Sequence, residues 1–240
     1  MRRIKIKLAY DGSAFHGWQV QPDLPTIQGV LEGIVSDMEG RPVPVAGSGR
    51  TDAGVHALGQ VAAFSFENPI PLSNLRRAVN RLLPSAVRVL SAEEVHADFH
   101  PRFDAKAKTY EYRIVREEVC SPFEWPYVHH YPYPLDEDRM VRFARALEGE
   151  HDFTVFAAAD DRDREGRSKV RTVFSSVLEP GVGRLTYRIR GSGFLKHMVR
   201  NIVGTLLDAG RGNLQDLAAL PVKSGPTAPA KGLFLVSVEY

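Results

Sequence analysis

The sequence predicts an α+β fold made of two halves of similar build. Three observations carry this reading. The chain opens on a run that alternates apolar and charged residues; apolar repeats at helical spacing follow strand-like runs; and the same interleaving returns in the second half of the 240 residues. The repeat lies in the order of elements, since the halves share no evident sequence identity.

The opening run "RRIKIKLAY" places Ile4, Ile6 and Leu8 on one face and Arg3, Lys5 and Lys7 on the other, predicting a half-buried strand with a cationic side. From Thr26, a suitable N-cap, Ile27, Val30, Leu31, Ile34, Val35 and Met38 recur at helical spacing. Strands are predicted at 43–46 and 60–66, then a helix at 73–83 stopped by Pro84, then a strand at 87–95. The second half begins with a strand at 105–116 and a helix near 136–147 ended by Gly149. Strands at 169–179 and 184–190 flank the turn "EPGVG". A helix from about 194 to 209 ends at Gly210, and a short helix at 213–220 and a strand at 233–240 close the chain. The join falls near 99–106, giving an N-terminal half of 1–104 and a C-terminal half of 105–240.

A hydrophobic fraction of 43% and a charged fraction of 25% fit a folded domain with a sizeable core. The net charge of +2 permits an anionic partner without requiring one. A single cysteine, Cys120, excludes an internal disulfide and a cysteine zinc cluster, and fits a reducing compartment. The N-terminus lacks the apolar block of a signal peptide and no run is long enough for a membrane span, so a cytoplasmic protein is expected. The stretch 157–172 mixes both charge signs and reads as a solvated, mobile loop, with RNA contact through Arg162, Arg164 and Arg167 as the lesser alternative.

Asp52, in "GSGRTDAG", is a lone carboxylate beside Arg50. Taken by itself it is an ordinary turn residue. The surrounding glycines, however, let a ligand approach the backbone closely, and the spacing is not that of a phosphate loop. In "AKAKTYEYRI", period two aligns Lys106, Lys108, Tyr110, Tyr112 and Ile114, either a stacking surface for bases with phosphate contacts or tyrosines packed in a core. On the helix "FLKHMVRNIVGTLLDAG", Leu195, Met198, Val199, Ile202, Val203, Leu206 and Leu207 form an apolar stripe, leaving His197, Arg200, Asn201, Gly204 and Asp208 on the opposite side. His96 and His100 lie four apart but lack the glutamate and third ligand of a zinc site, so no metal is expected. No serine-nucleophile elbow is present.

Taken together, "LAYDGSAFHGWQVQPDLPTIQGVLE", "GSGRTDAGVHALGQVAAF", "FHPRFDAKAKTYEYRI", "HDFTVFAA", "GFLKHMVRNIVGTLLDAG" and "APAKGLFLVSVEY" resemble, in order and over nearly the whole chain, the tRNA pseudouridine synthase A family. Pro101 departs from the small residue expected at its place, and 157–172 has its own charged sequence. The resemblance implies a pseudouridine synthase fold: two ferredoxin- or RRM-like α+β halves joined through a mostly antiparallel central sheet with a cleft between them. It implies conversion of uridine to pseudouridine at positions 38, 39 and 40 of the tRNA anticodon stem-loop, without metal or cofactor, by a homodimer whose subunits both touch each tRNA. By position in the matching blocks, Asp52 would be the nucleophile, Arg50 would help extrude the target nucleotide, Tyr110 would stack on the uracil, and Arg200 would pair with Asp52. His56, Lys106 and Lys108 are further substrate-binding candidates, and Lys5, Lys7, Arg76 and Arg77 further phosphate contacts.

Such a reaction explains a lone acid. Uracil leaves C1′ through N1 and returns through C5, so no water needs activating and the acid–base pair of glycosidases is unnecessary. One carboxylate acting covalently divides the reaction into easier steps, and the residues fit attack either on the ring or at C1′. A nearby guanidinium favours the ionised nucleophile. The target base must first swing out of its stack, at a few kcal/mol. Two other classes compete: a non-catalytic RNA-binding module, and a glycosidase that releases the base.

Overall fold

A computed structural model describes residues 1–159, 166 and 168–240. Arg162, Arg164 and Arg167, the expected RNA-contact arginines, lie outside the described residues. In chain order the first elements are β1 (Arg2–Tyr10), α1 (Ile27–Glu39), β2 (Ala46–Gly47), β3 (His56–Phe66), α2 (Leu72–Leu82) and β4 (Val87–Val95). Then come β5 (Ala107–Val115), β6 (His129–His130), α3 (Glu137–Ala146), β7 (Gly149–Asp152), β8 (Val170–Gly181), β9 (Arg184–Gly191), α4 (Met198–Gly210) and β10 (Leu233–Glu239). They form two compact units, Met1–Lys106 with Phe234–Tyr240, and Ala107–Leu233. Each is a mixed α+β structure whose strands pair mainly antiparallel.

In the first unit the sheet runs β4-β1-β3, and β3 also carries β2 and β10 along its length. The alternation of β1 is realised as expected: Ile4, Ile6, Leu8 and Tyr10 are buried while Lys7 is exposed. Thr26 caps α1, its hydroxyl accepting from Gly29 N at 3.2 Å, and Gly40 ends the helix at φ +75°, where a glycine is favoured. The strand expected at 43–46 shrinks to Ala46–Gly47. Pro42 and Pro44 cannot donate to a ladder. The intervening amides turn to α1 instead, Val43 N donating to Ser36 Oγ and Val45 N to Glu32 Oε1, each at 2.9 Å.

In the second unit the order is β5-β9-β8-β7, with β6 beside β5. Thus β5, β9 and β8 are neighbours in the same chain sequence as β1, β3 and β2, the repeat suggested by element order. Two expectations are corrected. No helix forms at 213–220, where the chain bends instead and most residues are exposed; eight residues without a packed face do not offset helix nucleation. α4 starts at Met198 rather than near 194, because His197 takes φ +60° and breaks the helical path ahead of it. The boundary differs too. Phe234–Tyr240 groups with the first unit, where Phe234 pairs with His56 and Lys106 N donates to Glu239 O at 2.8 Å.

Candidate active site

The sequence around Asp52 forms a loop between β2 and β3, and one buried amide holds it. Gln60 sits on β3 opposite Leu8, at an inward position and fully buried. Its Oε1 accepts from Ser48 Oγ at 2.6 Å and from Val61 N at 3.0 Å, which orients Nε2 to donate to Gly49 O at 3.0 Å and Tyr10 Oη at 3.4 Å. The Tyr10 and Thr51 hydroxyls share a hydrogen bond at 2.8 Å in which either can donate. Burial pushes the Tyr10 hydroxyl up to about 12, against the opposing pull of its bonds to Thr51 and Gln60, so it stays neutral. Ser48, Tyr10 and Thr51 are all buried, and such groups must be bonded.

Backbone contacts finish the clamp. Trp18 N donates to Thr51 O at 3.1 Å, Gly54 N to Phe15 O at 3.3 Å, and Val55 N to Asp52 O at 3.1 Å. Gly54 takes φ +76°, a turn conformation natural to glycine. Gly17, at φ +89°, passes so close that a Cβ there would lie 2.6 Å from Thr51 O. The chain is thus fixed on both sides of Asp52, which itself remains half-exposed. Arg50 is exposed. A carboxylate mounted this way meets a ligand without reorganising its support.

His56 opens β3 and is buried, stacked on Phe234 at 4.7 Å and 21°. Its Nδ1 accepts from Gly12 N at 3.1 Å and lies 3.2 Å from Asp11 Oδ1.

In the second unit, Tyr110 lies on β5 opposite Ile189 and meets Phe194 edge to face at 5.1 Å. Both tyrosines are buried, and Tyr112 is the deeper of the pair. It is fully buried and donates to Pro229 O at 2.8 Å, and burial raises its hydroxyl pKa. The stacking-surface reading therefore fails for Tyr112. Arg200, half-buried on the first turn of α4, donates through Nε to Ala228 O at 2.8 Å, while Ala228 N returns a bond to Arg200 O at 3.1 Å. The opposite side of α4 is not a solvent face. Asn201, Gly204 and Thr205 are buried beneath the segment 225–229. There Thr227 Oγ1 donates to Asn201 Oδ1 at 2.6 Å and Gly225 N to Thr205 Oγ1 at 2.8 Å. A Cβ on Gly204 would lie 1.7 Å from Pro226 O.

Asp52, Arg50 and His56 therefore share the stretch 50–56 of the first unit, while Tyr110, Lys108 and Arg200 belong to the second. Lys106 closes the first unit and is exposed, as is Lys7. Lys5 is engaged within its own unit, paired with Glu93 at 2.8 Å and lying against the Phe99 and Tyr240 rings. Arg76 donates to Leu90 O at 3.1 Å and Arg77 to Asn74 Oδ1 at 2.5 Å. Among the described residues no three His, Cys, Asp or Glu side chains are grouped as metal ligands, and no helix is long and apolar enough to cross a membrane.

Reading the sequence residue by residue misses the supports: Tyr10, Gly17, Trp18, Gln60 and Ala228. A signal existed for Gln60, the inward polar residue in the otherwise apolar run "HALGQVAAFSF".

Comparison with known proteins gives these features a context. A family profile described as "tRNA pseudouridine synthase" matches residues 7–104 and 143–240. A protein of Solibacter usitatus named tRNA pseudouridine synthase A is 77% identical over the full length of both chains. Proteins of the same name from Lacticaseibacillus casei and Brevibacillus brevis are each 43% identical, again over the full length of both chains.

Proposed function

The chain belongs to the tRNA pseudouridine synthase family, and from that premise we infer that it isomerises uridine to pseudouridine in tRNA, in the anticodon stem-loop. The observation that carries the chemistry is the mounting of Asp52, a half-exposed carboxylate whose flanking backbone is held by buried hydrogen bonds.

In this reading Asp52 is the nucleophile. Uracil gives up its N1–C1′ bond, turns, and forms a C5–C1′ bond. C5 surrenders a proton and N1 ends with one, so atoms balance with no water consumed. Tyr110 supplies the ring that receives the flipped base. Arg200 is the partner of Asp52 in this reading, and its Nε bond to Ala228 O supports the role by fixing how the guanidinium is presented. Arg50 engages the nucleotide backbone, with His56, Lys106 and Lys108 as further substrate contacts. The enzyme works in the cytoplasm as a homodimer, which light scattering checks by returning twice the chain mass.

The test is pseudouridine mapping by chemical labelling, because product and substrate have equal mass. Wild-type protein, with chelator and no cofactor added, is expected to modify uridines of the anticodon stem-loop. Asp52→Ala is expected to bind tRNA normally and leave every uridine unchanged. Retained turnover in that variant would remove Asp52 from its role. Free uracil with abasic sites would instead point to a glycosidase.

A further inference from the structure

We propose that Gln60, Tyr10 and Thr51 form a positioning relay that sets the Asp52 carboxylate for the isomerisation. The inference rests on the assignment of Asp52 as nucleophile and asks what aims it.

The geometry is unusual for a mere loop anchor. A single amide reaches both ends of the segment 48–51. At the near end it accepts from Ser48 Oγ at 2.6 Å and donates to Gly49 O at 3.0 Å. At the far end it acts through the Tyr10 hydroxyl, 3.4 Å away, which bonds Thr51 Oγ1 at 2.8 Å. Thr51 precedes Asp52 directly, so a shift at its side chain is passed to the Asp52 backbone. Gln60 Oε1 is taken by Ser48 Oγ and Val61 N, so it is Nε2 that faces the Tyr10 hydroxyl. Gln60 lies on the long strand β3, paired with Leu8, while Tyr10 ends β1. The relay thereby refers the loop to the two central strands of its unit. None of the three side chains is asked to touch the substrate or the reacting atoms.

Variants that remove one hydroxyl and little else test this. In Tyr10→Phe and Thr51→Val, kcat at saturating tRNA should fall roughly 10- to 100-fold, the scale of a misaimed group, with KM nearly unchanged. The double variant should be no slower than either single one, since both cut the same relay. Thr51→Ser, which keeps the hydroxyl, should retain wild-type kcat. The pH profile of kcat in Tyr10→Phe should keep its wild-type shape, because a positioning hydroxyl moves no proton in the reaction.

Wild-type kcat in both hydroxyl-deleted variants, or losses confined to KM or to Tm, would overturn the relay, as would additive losses in the double variant. Asp52→Ala in the same assay separates the two readings. If it is active, the nucleophile assignment fails; if it is inactive while Tyr10→Phe and Thr51→Val run at full rate, the relay alone fails.

Discussion

The Asp52 loop and the first turn of α4 each present a charged residue, and the two are held by different physics. The loop hangs on side chains, with one amide and three hydroxyls joined in a buried chain. The helix adds close backbone approach to its side-chain bonds. Gly204 lies under Pro226, Gly225 lies over Gly204, and Ala228 exchanges two hydrogen bonds with Arg200. A side-chain network can be weakened one bond at a time, at about 1 kcal/mol per bond. Close-packed backbone admits no such gradation, because a single added methyl must move a whole segment. Substitutions near Arg200 should therefore read out first in stability, and those near Asp52 in rate.

The largest effect should come from Gly204→Ala. Its Cβ would be placed 1.7 Å from Pro226 O, a backbone atom that cannot rotate away. Overpacking of this kind exceeds the usual range of about 1–3 kcal/mol. A fall in Tm of roughly 10 °C is expected by thermal melting, on the scale of a few degrees per kcal/mol for a chain of this size. An unchanged Tm would mean that 225–229 moves freely over the helix and that the contrast is wrong.

Gly17→Ala is the matched change in the first unit. The new methyl would lie 2.6 Å from Thr51 O, at a backbone φ of +89° that alanine adopts with strain. A loss of about 1–3 kcal/mol is expected, smaller than for Gly204→Ala. The diagnostic reading is kcat measured well below Tm. It should fall roughly 10- to 100-fold, because the displaced atom belongs to the residue beside Asp52. A Gly17→Ala enzyme that is less stable but fully active would show that the loop tolerates the shift.

Much of this was legible in the sequence, and the misses follow one pattern. Helices with a local signal were placed well. Thr26 capped α1 as read, and Pro84 stands just beyond α2. Asp52 stood out as a lone carboxylate among glycines, but its role as nucleophile came only with the family resemblance and remains an inference. What escaped depends on distant chain. Nothing near Gly204 announces Pro226, so helical spacing places it only opposite the apolar stripe, whereas the segment 225–229 buries it. Tyr10 and Gln60 lie 50 residues apart, and each alone looks like a strand residue. Period two could place Tyr110 and Tyr112 on one face without saying that both are buried and that Tyr112 lies the deeper. The blocks of the family resemblance did contain Tyr10, Gln60 and Gly204, and "LAYDGSAFHGW" also holds Gly17 and Trp18, which now have a local reason as supports of the loop.

A further effect concerns acid, and it turns on a half-buried ring of the second unit. His129 belongs to the second unit, edge-on to Tyr112 at 6.2 Å and Tyr131 at 5.7 Å, and its Nδ1 is buried without a hydrogen-bond partner among the described residues. Burial, reinforced by the charges of Lys231, His130 and Arg211, lowers its pKa to about 4. The sign follows from linkage. The unfolded chain takes up a proton near the ordinary histidine value of about 6.5, while the folded chain refuses it until about 4. Between those values the unfolded state binds more protons, so folding stability falls as pH drops through that window and is unaffected by His129 above it. Hydrogen exchange should therefore show the second unit loosening as the medium is acidified from neutrality toward pH 4, in the strands around Tyr112. His129→Phe keeps an aromatic ring against both tyrosines and has no proton to bind, so it should flatten that part of the stability–pH curve. If the variant and wild type share one curve, the ring at 129 is as accessible to protons in the folded chain as in the unfolded one, and the second unit is looser about Tyr112 than its packing indicates.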